Sequence, residues 1–200
     1  MWILYAFGSA FFAGLTAVLA KCGIEHTNSH LATALRTIVV LIFSWIMVGI
    51  VGSFDTIHTI THKTFLFLIL SGISTGASWL CYFKALQLGN INKVTAVDKT
   101  SVVLTIILSL IFFKESVTVY KILGMIILTA GTYLMVEKKE DNKQTSNAWL
   151  LYVVLSVVFA SLTTILGKIG ITNIESNLGT AIRTSIVLVM SWIVVFVTHS

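Results

Sequence analysis

The stretch from Lys21 to Thr37 reads KCGIEHTNSHLATALRT, and a close copy, KIGITNIESNLGTAIRT, follows at Lys168 to Thr184. The offset is constant at 147 positions (168 minus 21). The similarity extends without a gap from Trp2, repeated as Trp149, as far as the segment Ser44-Trp45-Ile46, repeated from Ser191. Self-similarity of this length indicates an internal repeat of a whole structural unit. The chain is therefore expected to hold one full unit and the start of a second.

The composition indicates a membrane protein. Hydrophobic residues make up 56% of the chain and charged residues 10%, and the mean hydropathy is +0.96. These values lie far outside the range of soluble globular domains. The formal charge of +5 comes from Lys and Arg scattered between apolar runs. Such residues typically anchor helix ends among lipid headgroups, and they do not indicate nucleic-acid binding.

Seven apolar runs predict seven transmembrane helices in an all-α, polytopic helical bundle. Isolated strands would leave backbone groups unpaired in lipid, so no β-sheet is expected. Small side chains recur every four positions in the first run and form a stripe in the third, which predicts close helix contacts for both. The first helix is therefore expected to pack inside the bundle. The runs are residues 2–20, 31–51, 64–86, 94–113, 119–136, 148–167 and 178–197.

The repeat and the polar segment EKKEDNKQTSN divide the chain into units. We expect a first five-helix unit at 1–136, a polar linker at 137–147 and an incomplete second unit at 148–200. Five spans separate the two copies, and an odd number places their starts on opposite faces of the membrane. The sequence therefore predicts inverted repeats, which are typical of secondary transporters.

Four charged residues lie inside apolar runs and more than three residues from either end, where a charge is costly. Arg36 can either snorkel from the first turns of its helix or line a cavity, and its recurrence as Arg183 favours a defined role. The fourth run spans a bilayer only if it includes Asp98 and Lys99, so we expect this pair to be drawn into the helix. The alternative is a helix that starts at Ser101 and leaves the pair in water.

Aromatic and thiol residues near helix ends leave alternatives open. Trp79 and Tyr82, close to Lys84 and Gln87, fit either an interface belt or the mouth of a cavity. Cys22 and Cys81 have no metal-ligand spacing and are interpreted as free thiols.

Histidines with metal-ligand spacing occur twice, as His26 with His30 and as His58 with His62. The first pair is replaced by asparagines in the second copy, and no further ligand accompanies either pair. Polar interface residues are the preferred interpretation, and no metal or cofactor is expected.

Three motifs resemble the EamA domain of the drug/metabolite transporter superfamily. They are YFKALQLG from Tyr82, KVTAVDKTSVV from Lys93 and FFKESVT from Phe112. The resemblance implies two homologous five-helix halves that carry a small organic solute by alternating access. It also implies that both termini of the complete protein are cytoplasmic, whereas a count of lysines weakly places the linker inside. We expect an integral protein of a bacterial or archaeal inner (plasma) membrane.

The repeat, the spans and the intramembrane charges together predict a carrier for a small-molecule solute. A membrane enzyme would need acids or histidines clustered at one depth, and these residues are instead spread over the connectors. The second hypothesis is a membrane subunit that does not itself transport, or a truncated half-carrier that needs a partner chain. Dimerisation is one way to supply the missing helices. The residues predicted to contact solute are Arg36, Trp79, Tyr82, Asp98, Lys99 and Arg183.

Overall fold

A computed structural model describes residues 2–24, 28–114, 118–135, 148–171 and 174–198 of the chain. These ranges form a bundle of seven α-helices and contain no strand. The predicted all-α fold is therefore confirmed, and each predicted run coincides with one helix. The helices are α1 (Trp2–Ile24), α2 (Ser29–Val51), α3 (His62–Leu88), α4 (Ile91–Phe113), α5 (Val119–Met135), α6 (Ala148–Gly170) and α7 (Ser176–Thr198), with a 3₁₀ helix at Ser53–Thr59 between α2 and α3.

Local sequence fixes several helix ends. The side chain of Asn28 accepts a hydrogen bond from the backbone N–H of His30 at 3.0 Å and so caps α2. Asn90 caps α4 in the same way through Asn92 at 2.9 Å. Gly52 ends α2 with φ of 74°, a left-handed conformation that glycine adopts without steric cost. Because these residues satisfy backbone groups at the helix ends, the chain can turn within a few residues from one helix to the next.

Six of the helices in the described ranges are long and apolar enough to cross a membrane. The seventh, α5, is apolar over the shorter stretch Val119–Leu134. Helix α4 begins at Ile91, so Asp98 and Lys99 lie inside a 23-residue spanning helix, as the sequence predicted. At 1.5 Å per residue, Asp98 lies about 10 Å from the start of that helix.

Contacts with α3 show the relative directions of α1 and α6. Lys21, near the end of α1, donates hydrogen bonds to the carbonyls of Leu86 and Gly89 at the end of α3, so α1 and α3 run parallel. Ser71 and Ser78 of α3 donate to the carbonyls of Thr163 and Ser156 of α6, so α3 and α6 run antiparallel. The repeated helices α1 and α6 therefore point in opposite directions, and the predicted inversion of the repeat is confirmed. We call the membrane face at which α1 begins the first face, and the opposite one the second face.

Helix α3 occupies the centre of the bundle, packed against α6 and α7. A Cβ atom on Gly72 would lie 2.9 Å from Cβ of Ile186, and one on Gly76 would lie 2.7 Å from Sδ of Met190. Gly72 is therefore needed for the close approach of α7, and the flexible Met190 side chain packs directly against Gly76, which confirms the predicted contact stripe on α3. The stripe is also polar: Ser71, Ser74, Thr75 and Ser78 are all buried.

The prediction that α1 packs inside the bundle is wrong for the described residues. Only Ala17 of its small residues is buried, whereas Ser9, Ala10 and Gly14 are exposed. The copy, α6, is the helix that packs inside, against α3 and α4. Small residues permit close packing, but a partner helix must be present at that face for the packing to occur.

Candidate functional site

A cavity of about 250 Å³ lies where α6 of the second unit meets helices of the first. It extends from about the middle of the helices toward the second face. Its wall is formed by four helices of the first unit and by α6 of the second, so the cavity lies between the repeated units. The lining residues are Ala13, Gly14, Thr16, Ala17 and Ala20 of α1, Arg36 of α2, Ser78, Trp79, Tyr82 and Phe83 of α3, Thr95, Asp98 and Lys99 of α4, and Ser156 and Ala160 of α6.

The guanidinium of Arg36 lies over two aromatic rings in this cavity. Its Cζ is 4.5 Å from the ring centroid of Trp79 and 5.5 Å from that of Phe83. A cation over an aromatic face is stabilised by about 2 kcal/mol or more when it is shielded from water. The sequence left Arg36 either to snorkel or to line a cavity, and the structure places it in a cavity wall. Trp79 lines the same cavity.

The carboxylate of Asp98 joins the two units. Its Oδ1 accepts a hydrogen bond from the hydroxyl of Ser156 on α6 at 3.0 Å. Ser156 is fully buried, and its Oγ lies 3.2 Å from Oγ of Ser78 on α3. The hydroxyl of Ser78 in turn bonds the carbonyl of Ser156 at 3.1 Å. One intramembrane acid is thus held by a hydroxyl network that spans the contact between the repeats.

Two further predicted residues complete the polar wall. The phenol oxygen of Tyr82 lies 3.4 Å from Oγ1 of Thr95, which links α3 to α4 beside the cavity. Lys99 also lines the cavity, and its side chain is exposed. Adjacent helix residues point about 100° apart, so Lys99 and Asp98 leave their helix in different directions. Five of the six residues predicted to contact solute therefore surround one cavity.

Arg183, the sixth, lies elsewhere. A Cβ atom on Gly167 would be 3.4 Å from Nη1 of Arg183 and 3.4 Å from Oγ of Ser71, so the guanidinium lies beside α3 and α6 in the half of the bundle nearer the first face. Arg36 and Arg183 therefore occupy equivalent depths from opposite faces. The position corresponding to Trp79 in the second unit would be 226, beyond these 200 residues.

Sequence reasoning missed Ser78, Phe83, Thr95 and Ser156 as cavity residues. Ser78 belongs to the small-residue stripe of α3, which was interpreted only as a helix contact. Ser156 repeats Ser9, and this repetition was the available signal. Phe83 carried no signal, since an apolar aromatic residue is ordinary in a membrane helix.

A polar contact joins the two units at the first face. The Ser53 hydroxyl, just after α2, donates to Oε2 of Glu175 at 2.8 Å. Glu175 also caps α7 by accepting from the backbone N–H groups of Asn177 at 2.7 Å and Leu178 at 3.1 Å. Burial would raise the pKa of Glu175, but the hydrogen bonds from Ser53, Leu178 and Asn177 outweigh it and hold that pKa below the ordinary range.

Among the described residues, no group of three or more potential metal ligands occurs. His26 lies outside the described residues. His30 is partly buried on α2, and His58 and His62 are exposed at the first face. Cys22 and Cys81 are both free thiols, as predicted.

A polytopic bundle with inverted repeats and a polar cavity between them is the architecture of secondary membrane transporters. The chain belongs to the EamA-like transporter family, which matches residues 1–137. A protein from Sinorhizobium sp. named "Uncharacterized transporter in cobO 3'region" is 42% identical over 134 residues, which are 67% of this chain and 95% of that protein. No solved structure matches the chain. The chain is thus an integral membrane protein of a transporter family.

Proposed function

We propose that the chain is a secondary transporter that carries a small organic solute by alternating access, with the cavity beside Arg36 and Asp98 as its solute site. The observation that carries the proposal is the convergence of Arg36, Trp79, Tyr82, Asp98 and Lys99 on one cavity between inverted units. A carrier of this kind binds solute near the bilayer midplane, where the repeats meet.

The cavity offers a solute both signs of charge. Stacking on Trp79 and Phe83 covers the face of the Arg36 guanidinium and leaves its N–H edge for an anionic or hydroxyl group. Asp98 and the hydroxyls of Tyr82 and Thr95 can bind a cationic or hydrogen-bonding group. A cavity of about 250 Å³ suits a metabolite of modest size.

Alternating access requires contacts that hold each face in turn. At the first face, Ser53 of the first unit bonds Glu175 of the second at 2.8 Å. At the second face, the contact of Lys21 with the carbonyls of Leu86 and Gly89, at 2.5 and 3.2 Å, lies within the first unit. We infer that the contact between the units at the first face opens when the cavity is exposed there.

The same proposal covers domains and location. Residues 1–136 form the first EamA-like unit, 137–147 the linker and 148–200 the beginning of the second unit. A bacterial or archaeal inner membrane fits the family resemblance.

The test is solute counterflow in proteoliposomes that contain the purified chain. A panel of radiolabelled amino acids, sugars and nucleotides is offered, and the wild-type protein is expected to exchange at least one of them. Arg36→Gln should lower exchange at least tenfold, because a lost hydrogen bond to a charged group costs about 1.5–3 kcal/mol. Arg183→Gln, the matched change outside the cavity, should stay within about twofold.

Equal exchange by the wild-type protein and Arg36→Gln would show that Arg36 is only an anchor. An equal loss in both arginine variants would show that the effect is structural rather than local to the cavity. Size-exclusion chromatography of each variant establishes that it is folded before exchange is compared.

A second candidate function is favoured by the exposed face of α1. The buried face of α6 includes Val153, Ser156, Val157 and Ser161, and the equivalent residues of α1, 147 positions earlier, are Ala6, Ser9, Ala10 and Gly14, all exposed. Helices equivalent to α3 and α4, which cover this face in α6, would cover it in α1, and they could belong to the same polypeptide or to another. On this view the chain is one part of a larger carrier. A chain that exchanges solute only when co-reconstituted with a further five-helix unit would support this alternative.

A further inference from the structure

Asp98 is an intramembrane acid at the junction of the repeats, where a side chain of the other unit binds it. Asp98 lies in α4 about 10 Å from the helix end, and Ser156 of α6 donates to its Oδ1. Ser156 itself is fully buried, so this hydrogen bond is shielded from lipid and water. The carboxyl group therefore has a solvent-accessible side at the cavity and a dry side at the contact between the units.

Asp98 forms no ion pair with a cation among the described residues, although the positive charge of Lys99 acts on it through space. Arg36 from α2 stacks on Trp79 and Phe83, and Tyr82 from α3 contacts Thr95. Lys99, the next residue on the same helix, leaves it in another direction and is exposed.

The remaining helices add no charge to this wall. Helices α1 and α6 contribute only neutral side chains to the cavity. Among the described residues, the only hydrogen bond to the Asp98 carboxyl comes from Ser156. A carboxylate with so little compensation is costly inside a membrane, whereas the protonated acid is not.

The hydroxyl network can satisfy both forms of the acid without moving heavy atoms. When Asp98 is ionised, the Ser156 hydroxyl donates to it at 3.0 Å. When Asp98 is protonated, its O–H can donate to Ser156, whose own hydrogen turns to Oγ of Ser78 at 3.2 Å. Ser78 meanwhile keeps its bond to the carbonyl of Ser156 at 3.1 Å. Hydroxyl hydrogens rotate freely to suit their partners, so either arrangement is complete.

We propose that Asp98 is a reversible proton-binding site at the contact between the two units, with Ser156 and Ser78 as positioning residues for its two protonation states. The ligand is the proton, taken from and returned to water in the cavity. The further step, that this proton drives solute movement, rests on the proposed transport function. Proton binding itself can be tested without knowing the solute.

Dicyclohexylcarbodiimide provides the probe, because it enters membranes and reacts with protonated carboxyl groups. The acid O–H adds across a C=N bond, and an acyl shift from oxygen to nitrogen gives a stable N-acylurea that retains the whole reagent. The full chain in lipid nanodiscs is treated at pH 6 and pH 9, and the modified residues are located by peptide mass spectrometry. Asp98 should be labelled at least tenfold more at pH 6, whereas Glu175, a carboxyl outside the spans, should stay unlabelled. Absence of label at Asp98, or equal labelling at both pH values, overturns the proposal.

The positioning roles predict opposite shifts in two variants. Ser156→Ala removes the donor to the ionised acid, so Asp98 labelling at pH 9 should rise about tenfold, in line with a lost hydrogen bond to a charged group. Ser78→Ala removes an acceptor needed only by the protonated arrangement, so labelling at pH 6 should fall. A purely structural role would leave both pH profiles at the wild-type position, and that result overturns the assignment of the two serines.

Transport adds a separate readout. For a solute identified by counterflow, the ratio of uptake with and without a pH gradient should exceed one in the wild-type protein and fall to about one in Asp98→Asn. An unchanged ratio in the variant overturns the coupling. A chain that exchanges no solute yet labels at Asp98 would contradict the proposed function and leave the proton site standing.

Discussion

Helices α1 and α6 share a sequence register but occupy different environments. Both have Trp in their first turn followed by an apolar stretch, and both carry Lys and Gly near their ends at equivalent positions. Within the spans, 6% of α1 is buried and 33% of α6 is buried. The difference shows that a repeated helix takes its role from the helices beside it: α6 meets α3 and α4, whereas no described helix covers the corresponding face of α1.

The sharpest test of this comparison is a pair of matched substitutions, Ser156→Leu and Ser9→Leu. Ser156 is fully buried between Ser78 and Asp98, so leucine both overpacks the contact and removes the hydrogen bonds. We expect Ser156→Leu to lower the free energy of unfolding by about 1–3 kcal/mol. Ser9 is exposed, so Ser9→Leu should change it by less than about 0.5 kcal/mol. Unfolding of the purified variants by sodium dodecyl sulfate in mixed micelles measures both values.

A large loss in Ser9→Leu would contradict the comparison. It would show that a helix from another chain, or from a second copy, already covers α1 in the purified protein. Chemical cross-linking at Ser9 would then identify that helix.

A second pair, Gly170→Leu and Gly23→Leu, tests the ends of the same two helices. A Cβ atom on Gly170 would lie 3.3 Å from Cδ2 of Leu68 and 3.3 Å from Cβ of Phe67, whereas one on Gly23 has no atom within 4 Å among the described residues. Gly170→Leu should cost about 1 kcal/mol, since α3 must shift to admit the side chain. Gly23→Leu should carry no such cost in the same unfolding assay, because leucine also has the higher helix propensity. Equal costs in the two variants would contradict the difference in packing between the two helix ends.

The smallest expected effect concerns the connectors that precede α2 and α7. Asn28 caps α2 with one hydrogen bond, while the equivalent Glu175 caps α7 with two backbone bonds and also accepts from Ser53. Glu175→Gln keeps an oxygen acceptor, so it should cost about 0.5 kcal/mol, the low end for a helix cap. The matched change is Ser53→Ala, which removes only the bond between the units.

The pH dependence of the Glu175 contribution has a definite sign. The pKa of Glu175 is held low by its hydrogen bonds, so the stabilising contribution is present above the ordinary glutamic-acid value of about 4.3. It is lost as pH falls through the lower folded value. The stability difference between the wild-type protein and Glu175→Gln should therefore shrink on acidification below pH 4. A constant difference between pH 7 and pH 3 would contradict the assigned hydrogen bonds.

The sequence alone determined the number and approximate ends of the helices. Apolar runs long enough to cross lipid leave little choice of structure, because each backbone group in the membrane must be paired within its own helix. The inversion also followed from the sequence, since an odd number of spans between copies reverses the second one. Even the inclusion of Asp98 in α4 followed from span length, a physical requirement that needs no tertiary contact.

Only the tertiary structure decided which copies of the repeated residues meet a partner. Arg36 and Arg183 are equivalent in sequence, yet Arg36 stacks on Trp79 in the cavity and Arg183 lies beside Gly167. Likewise Ser156 bonds Asp98 whereas Ser9 is exposed. Helices that are apolar on all sides carry no periodic signal for the side that faces the bundle. That choice depends on side chains from other helices, distant in the sequence, and so it becomes fixed only when the bundle is assembled.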